Sequence, residues 1–112
     1  MLNELRQKNI DRQAAWPGAQ TIDIAFRGLE LAGETGELCN KLKKLTRIHQ
    51  GIAGTNPSER AALMQDIREE LADVVICVDL IAMDLDINLA DAVPEKFNAT
   101  SDKVGLDVKF ET

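Results

Sequence analysis

Glu30-Leu31-Ala32-Gly33-Glu34-Thr35-Gly36-Glu37, read together with Glu69-Glu70-Leu71-Ala72-Asp73, is the stretch that organises this chain. At about 100° per residue on a helix, Glu30, Glu34 and Glu37 fall in one narrow stripe, and so do Glu70 and Asp73 on theirs. Two helices therefore each carry a pair of acids at i, i+3. Carboxylates about 4 to 5 Å apart near a protein surface repel by roughly 3 to 4 kcal/mol, so an inward-facing cluster needs a cation to hold it. The spacing predicts a metal site between two helices.

Working outward, the apolar pattern around the first acids extends from about Thr21 to Ile48, through Ile24, Leu31, Leu38, Leu42 and Leu45. Such a helix would run about 40 Å at about 1.5 Å per residue, longer than a domain of about 13 Å radius of gyration can cover. Gly33 and Gly36 inside it are expected to admit a close neighbouring helix beside the acids. The second acid motif sits in a helix that begins at Asn56-Pro57-Ser58-Glu59, with a capping residue, Pro at the first helical position and Glu at the third. That helix continues to about Asp84. It is apolar almost all round after Ile67, which predicts burial on several sides and makes Asp73 a buried acid needing a partner or a metal. Asp66, Glu69, Glu70 and Asp73 form its polar stripe, and Asp79 points elsewhere.

Before these two helices, residues 2 to 15 read as a short helix that Trp16-Pro17-Gly18 interrupts. The clearest loop is Gly51 to Pro57. After Asp86-Ile87-Asn88, a capped start at Asn88 leads into a fourth helix through about Ser101, with Pro94 expected to delay or bend it. Val104, Leu106, Val108 and Phe110 alternate in a tail at about 103–112, read as an extended or disordered arm. The prediction is one all-α domain over residues 1–112, a four- to five-helix bundle.

The 112 residues are 45% hydrophobic, enough for a core, and 13 basic against 19 acidic residues leave a net charge of −6. That balance argues against nucleic acid or an anionic membrane as the partner. No signal peptide or membrane span is legible, so a soluble cytoplasmic protein is expected. Cys39 and Cys77 lack metal or redox spacing and are expected to be buried free thiols. His49 is expected to face solvent.

Four carboxylates without a companion histidine suit a hard cation, Mg²⁺ first and Mn²⁺ second. No Glu-x-x-His pair is present, which removes a di-iron carboxylate bundle. The stripe of Glu30, Glu34 and Glu37 continues into Lys41 and Lys44, either solvated lysines or cations for a phosphate chain beside the metal. On the other side of the acids stand Phe26 and, in the loop upstream, Trp16, which either pack apolar surface or stack on a base.

These residues resemble the MazG-like all-α nucleoside triphosphate pyrophosphohydrolases. The matching motifs are Glu34-x-x-Glu37 in Leu29 to Leu38, Glu70-x-x-Asp73 in Glu69 to Val74, and the segment Ala92-Val93-Pro94-Glu95-Lys96-Phe97-Asn98. The resemblance covers roughly Trp16 to Lys103. It implies a protomer that assembles as a homodimer or a dimer of dimers, with sites completed across the subunit interface. It implies Mg²⁺-dependent hydrolysis of (deoxy)nucleoside triphosphates, dNTPs among them, between the α and β phosphates. By position, Glu34, Glu37, Glu70 and Asp73 would be the catalytic metal ligands, while Lys41, Lys44, Lys96 and Asn98 would contact phosphate or sugar. Glu30 and Glu69 would stand behind the ligands. The rival expectations are a phosphoribosyl-ATP pyrophosphatase of the same fold, a non-catalytic helical adaptor, and a toxin-antitoxin or phage accessory protein acting by binding alone.

Overall fold

The structure, a computed structural model, describes residues 1–52 and 56–111. Ala53, Gly54 and Thr55 of the expected loop, and Thr112 of the expected arm, lie outside the described residues. Four α-helices follow in order: α1 (Leu2–Ala15), α2 (Ile24–His49), α3 (Pro57–Asp84) and α4 (Leu89–Val104), with a 3-10 turn at Ala19–Thr21 between the first two. Among the described residues there is no strand, so the all-α expectation holds.

Local chemistry sets the helix ends. Pro17 forces Trp16 into extended backbone at φ −80° and ψ 124°, which stops α1. Asp23 caps α2 by accepting from the Phe26 N–H at 2.8 Å, so α2 starts three residues after the predicted Thr21. Asn56 and Pro57 open α3 as expected, Asn56 Oδ1 accepting from the Ser58 N–H at 2.8 Å. Asn88 opens α4 by accepting from the Ala90 N–H. Pro94 neither delays nor breaks this helix, which runs to Val104 and closes on Gly105 at φ 75°, with the Leu106 N–H donating to the Ser101 carbonyl. The helix is thus longer than expected, and the arm begins at Leu106.

The chain divides into two compact units. The first joins Met1–Ala19 to Asp79–Thr112, and its interior holds Leu80 and Ala82 beside three buried polar side chains, Asn9, Asp79 and Ser101. Asp79 is fully buried and accepts from Arg6 Nε at 3.1 Å and Asn9 Nδ2 at 2.9 Å, while the same guanidinium donates to the Ile87 carbonyl at 2.6 Å. This clip ties α1 to the last turn of α3 and to the turn that follows. The expectation that Asp79 faces away from the acid row is met.

The second unit, Gln20–Val78, is the hairpin of α2 with most of α3. Here the burial expected of α3 is only partly met. Leu63, Ile67 and Cys77 are buried, yet Leu71, Val75 and Val78 are exposed, as are Leu29 and Leu42 on α2. Both helices turn their charged rows toward each other and leave apolar rows outside. Cys39 lies on that outer side of α2 and is exposed, contrary to the expected buried thiol, whereas Cys77 is buried as expected. His49 is exposed.

Candidate metal centre

The second unit assembles its charged row in a regular antiparallel register. From the N-terminal end of α2, the Cys77 thiol meets Glu30 Oε1 at 3.7 Å. One turn on, carboxylate oxygens of Glu34, Glu70 and Asp73 lie within 4.8 Å of one another. Glu37 lies against Glu70, and beyond it Lys41 Nζ donates to Asp66 Oδ2 at 3.2 Å. Each step forward on α2 is matched by a step back on α3, which i, i+3/i+4 spacing on both helices permits. Ends and middle differ in charge: Lys41 neutralises Asp66 at one end, while at the centre four carboxylates converge.

The centre is electrostatically unresolved. Glu70 Oε2 is buried and has no hydrogen-bond partner. Loss of hydration first, then the close carboxylates of Glu34 and Glu37, push the Glu70 carboxyl from 4.5 up to about 7. Near neutral pH this group therefore exchanges its proton, and a cation in the same place would relieve the same repulsion. Burial first, and the negative charge of Glu30 next, push the Cys77 thiol up to about 11, so it stays a neutral donor. Glu34 and Glu70 are half-buried and Asp73 is exposed, which leaves the cluster open on the Asp73 side.

Asp73 is not buried within an apolar helix; it stands at the solvent edge of the cluster. Gly33 and Gly36 have no close neighbour either, because a Cβ built on either would meet nothing within 4 Å. The acids converge because two charged rows are in register, and the glycines lie away from that contact.

Among curated proteins, the chain is 30% identical over 89 residues to the "Gene 37 protein" of Mycobacterium phage L5, an alignment covering 76% of this chain and 73% of the phage protein. The chain belongs to the Gene 37 protein family. The name of that relative specifies no chemistry. No protein-family model matches the chain. No solved structure matches it either.

The other residues singled out in this Gene 37 family member fall into three groups. Glu30 stands on the charged row, accepting from Cys77, while Glu69 is exposed and accepts from Gln65 Nε2 at 3.2 Å. Lys41 is engaged by Asp66, whereas Lys44 and Phe26 are exposed on α2. Trp16, Lys96 and Asn98 belong to the other compact unit. Trp16 is exposed at the end of α1, and Lys96 lines a groove along α4. Asn98 is committed to the arm: its Nδ2 donates to the Phe110 carbonyl at 2.9 Å and its Oδ1 accepts from the Phe110 N–H at 2.7 Å. Sequence reasoning passed over Arg27, a buried arginine one turn before Glu30 on the same stripe. An arginine on a helix stripe reads as solvated, so nothing local announces its burial. Among the described residues no helix is long and apolar enough to cross a membrane.

Proposed function

We propose that this chain is a MazG-like, Mg²⁺-dependent nucleoside triphosphate pyrophosphohydrolase, cleaving (deoxy)nucleoside triphosphates between the α and β phosphates to yield a nucleoside monophosphate and pyrophosphate. The observation that carries the reading is the convergence of Glu34, Glu70 and Asp73 oxygens within 4.8 Å around a buried Glu70 Oε2 that lacks a partner. An oxygen-only donor set of this kind fits Mg²⁺, with Mn²⁺ as the substitute. Glu34, Glu70 and Asp73 would hold the ion. A bound Mg²⁺ supplies Lewis-acid polarisation of a phosphoryl oxygen and acidifies a coordinated water.

The remaining residues supply positioning and proton handling. Glu37, exposed beside Glu70, or Glu34 within the cluster, accepts the proton of the attacking water and holds that water in line with the α-phosphate. Lys44 is the exposed ammonium nearest along the stripe and offers its charge to the phosphate chain; Lys41 shares its charge with Asp66 and serves the row's register. A homodimer or homotetramer accounts for the outer faces of the hairpin, where Leu29 is 74% and Leu71 51% exposed. The same faces favour a second reading, a non-catalytic helical adaptor whose acids are a solvated row.

Incubation with all ribo- and deoxynucleoside triphosphates and phosphoribosyl-ATP in Mg²⁺, scored for pyrophosphate against orthophosphate, separates the readings. Pyrophosphate release from one or more triphosphates is expected. Release from phosphoribosyl-ATP alone would favour the histidine-pathway type of activity, and no release from any substrate would favour the adaptor.

A further inference from the structure

One face of α4 carries an apolar row that stays open. Val93, Phe97, Thr100 and Val104 stand at i, i+4, i+7 and i+11, so they share a single stripe of the helix. With Leu106 of the arm they line an apolar groove of about 580 Å³. Phe110 packs edge-on against Phe97, yet Phe97 is still 45% exposed, beside Val93 at 44% and Val104 at 60%. From Val93 to Val104 the row runs about 16 Å at about 1.5 Å per residue, three helical turns.

The two sides of α4 differ in charge. Lys96 lines the groove, and Lys103, two turns further on, stands on the same border of the row. Both are exposed, and among the described residues neither is ion-paired. Glu95 and Asp102 lie on the opposite side of the helix, where Asp102 pairs with Lys109 of the arm. The groove is therefore apolar along its length and edged by two ammonium groups.

We infer that this groove receives an amphipathic helix of a partner protein, three to four turns long, whose apolar row is bordered by carboxylates two turns apart. A second copy of α4 does not fit. Packed antiparallel about a two-fold axis, two such rows lay the same border of each helix along one seam, so Lys96 and Lys103 meet their own equivalents. Packed parallel, each lysine border meets the side holding Pro94 and Ser101, which offers no carboxylate. An anionic membrane would confront a chain of net charge −6, whereas a single helix meets only the lysine border.

The inference lies in a different compact unit from the proposed metal centre and does not rest on that chemistry. Its test uses two labelled synthetic helices of about four turns, each with leucine at i, i+4, i+7 and i+11. One carries two Glu and the other two Lys, two turns apart along the same border. The full-length chain is titrated into each and read by fluorescence anisotropy, with circular dichroism to check the folding of every variant. The Glu helix should bind at least about tenfold more tightly than the Lys helix. Lys96→Glu with Lys103→Glu should invert that order, and Val93→Asn with Val104→Asn should weaken both by at least about fivefold. Vesicles of phosphatidylcholine and phosphatidylglycerol should not bind the chain. Equal binding of the two helices, an order unchanged by the charge substitutions, binding unchanged by the asparagine substitutions, or no binding of either helix at about 1 mM would overturn the inference. Vesicle binding that the charge substitutions abolish would also overturn it, assigning the face to a membrane.

Discussion

Asp79→Ala should destabilise the chain by about 3 kcal/mol. The Asp79 carboxylate is fully buried and accepts from Arg6 Nε at 3.1 and 3.3 Å and from Asn9 Nδ2 at 2.9 Å, and its Oδ1 is ion-paired with the guanidinium Nη2 at 3.1 Å. Removing one member of a buried ion pair costs about 3–5 kcal/mol, because the other charge stays desolvated. Arg6 keeps two forms of relief: its side chain is 19% exposed and it retains the bond to the Ile87 carbonyl. These place the effect at the lower end of the range. At about 4 °C or more per kcal/mol for a domain of this size, the midpoint should fall by on the order of 12 °C. Thermal and urea unfolding of wild type, Asp79→Ala, Arg6→Ala and the double variant would complete the cycle, with the double variant costing less than the sum of the singles. A loss below about 1 kcal/mol for Asp79→Ala, or strict additivity of the two substitutions, would refute the clip.

Three further outcomes bear on the site. Glu37→Gln and Asp73→Asn should each abolish pyrophosphate release while leaving far-ultraviolet circular dichroism unchanged, and near-normal turnover in either would remove that residue from the site. The pH dependence has a definite sign: Glu70 is pushed from 4.5 up to about 7, so the folded chain holds this proton more tightly than the unfolded chain. Its contribution to stability is complete below about pH 4.5 and is lost as pH rises through about 7. In EDTA, wild type should lose midpoint relative to Glu70→Gln between pH 5 and 8, and a constant difference would contradict the assignment. Cys39 should react at once with a thiol reagent in the native protein, while Cys77, buried and pushed up to about 11, should react only on unfolding; two fast thiols would contradict the placement of Cys77.

The parts of this structure that the sequence made legible are those set by local chemistry. Asn56-Pro57 and Asn88 announce helix starts because capping needs only neighbours two or three residues away, and the i, i+3 spacing of the acids puts them on one stripe of any helix. Gly105 was equally local, and the expected end at Ser101 stopped short of it. What stayed hidden depends on how helices lie against each other. The Glu30–Cys77 and Lys41–Asp66 contacts follow from a register that neither helix encodes alone. Arg6 and Asn9 reach Asp79 across 73 and 70 residues, so a charged stripe on α1 could only be read as solvated. Leu71, Val75 and Val78 illustrate the reverse error: an apolar run signals that a surface will be covered, and the cover need not come from the same chain.

The claim that Glu34, Glu70 and Asp73 form a divalent-cation site is tested most directly by titrating the apoprotein with Mn²⁺ and reading the free ion by electron paramagnetic resonance, with Mg²⁺ as competitor. Saturable binding that Mg²⁺ displaces, that strengthens as pH rises through about 7, and that is lost in Glu70→Gln and Asp73→Asn, is the predicted result. Binding that is absent in wild type, or that survives both substitutions unchanged, would contradict it.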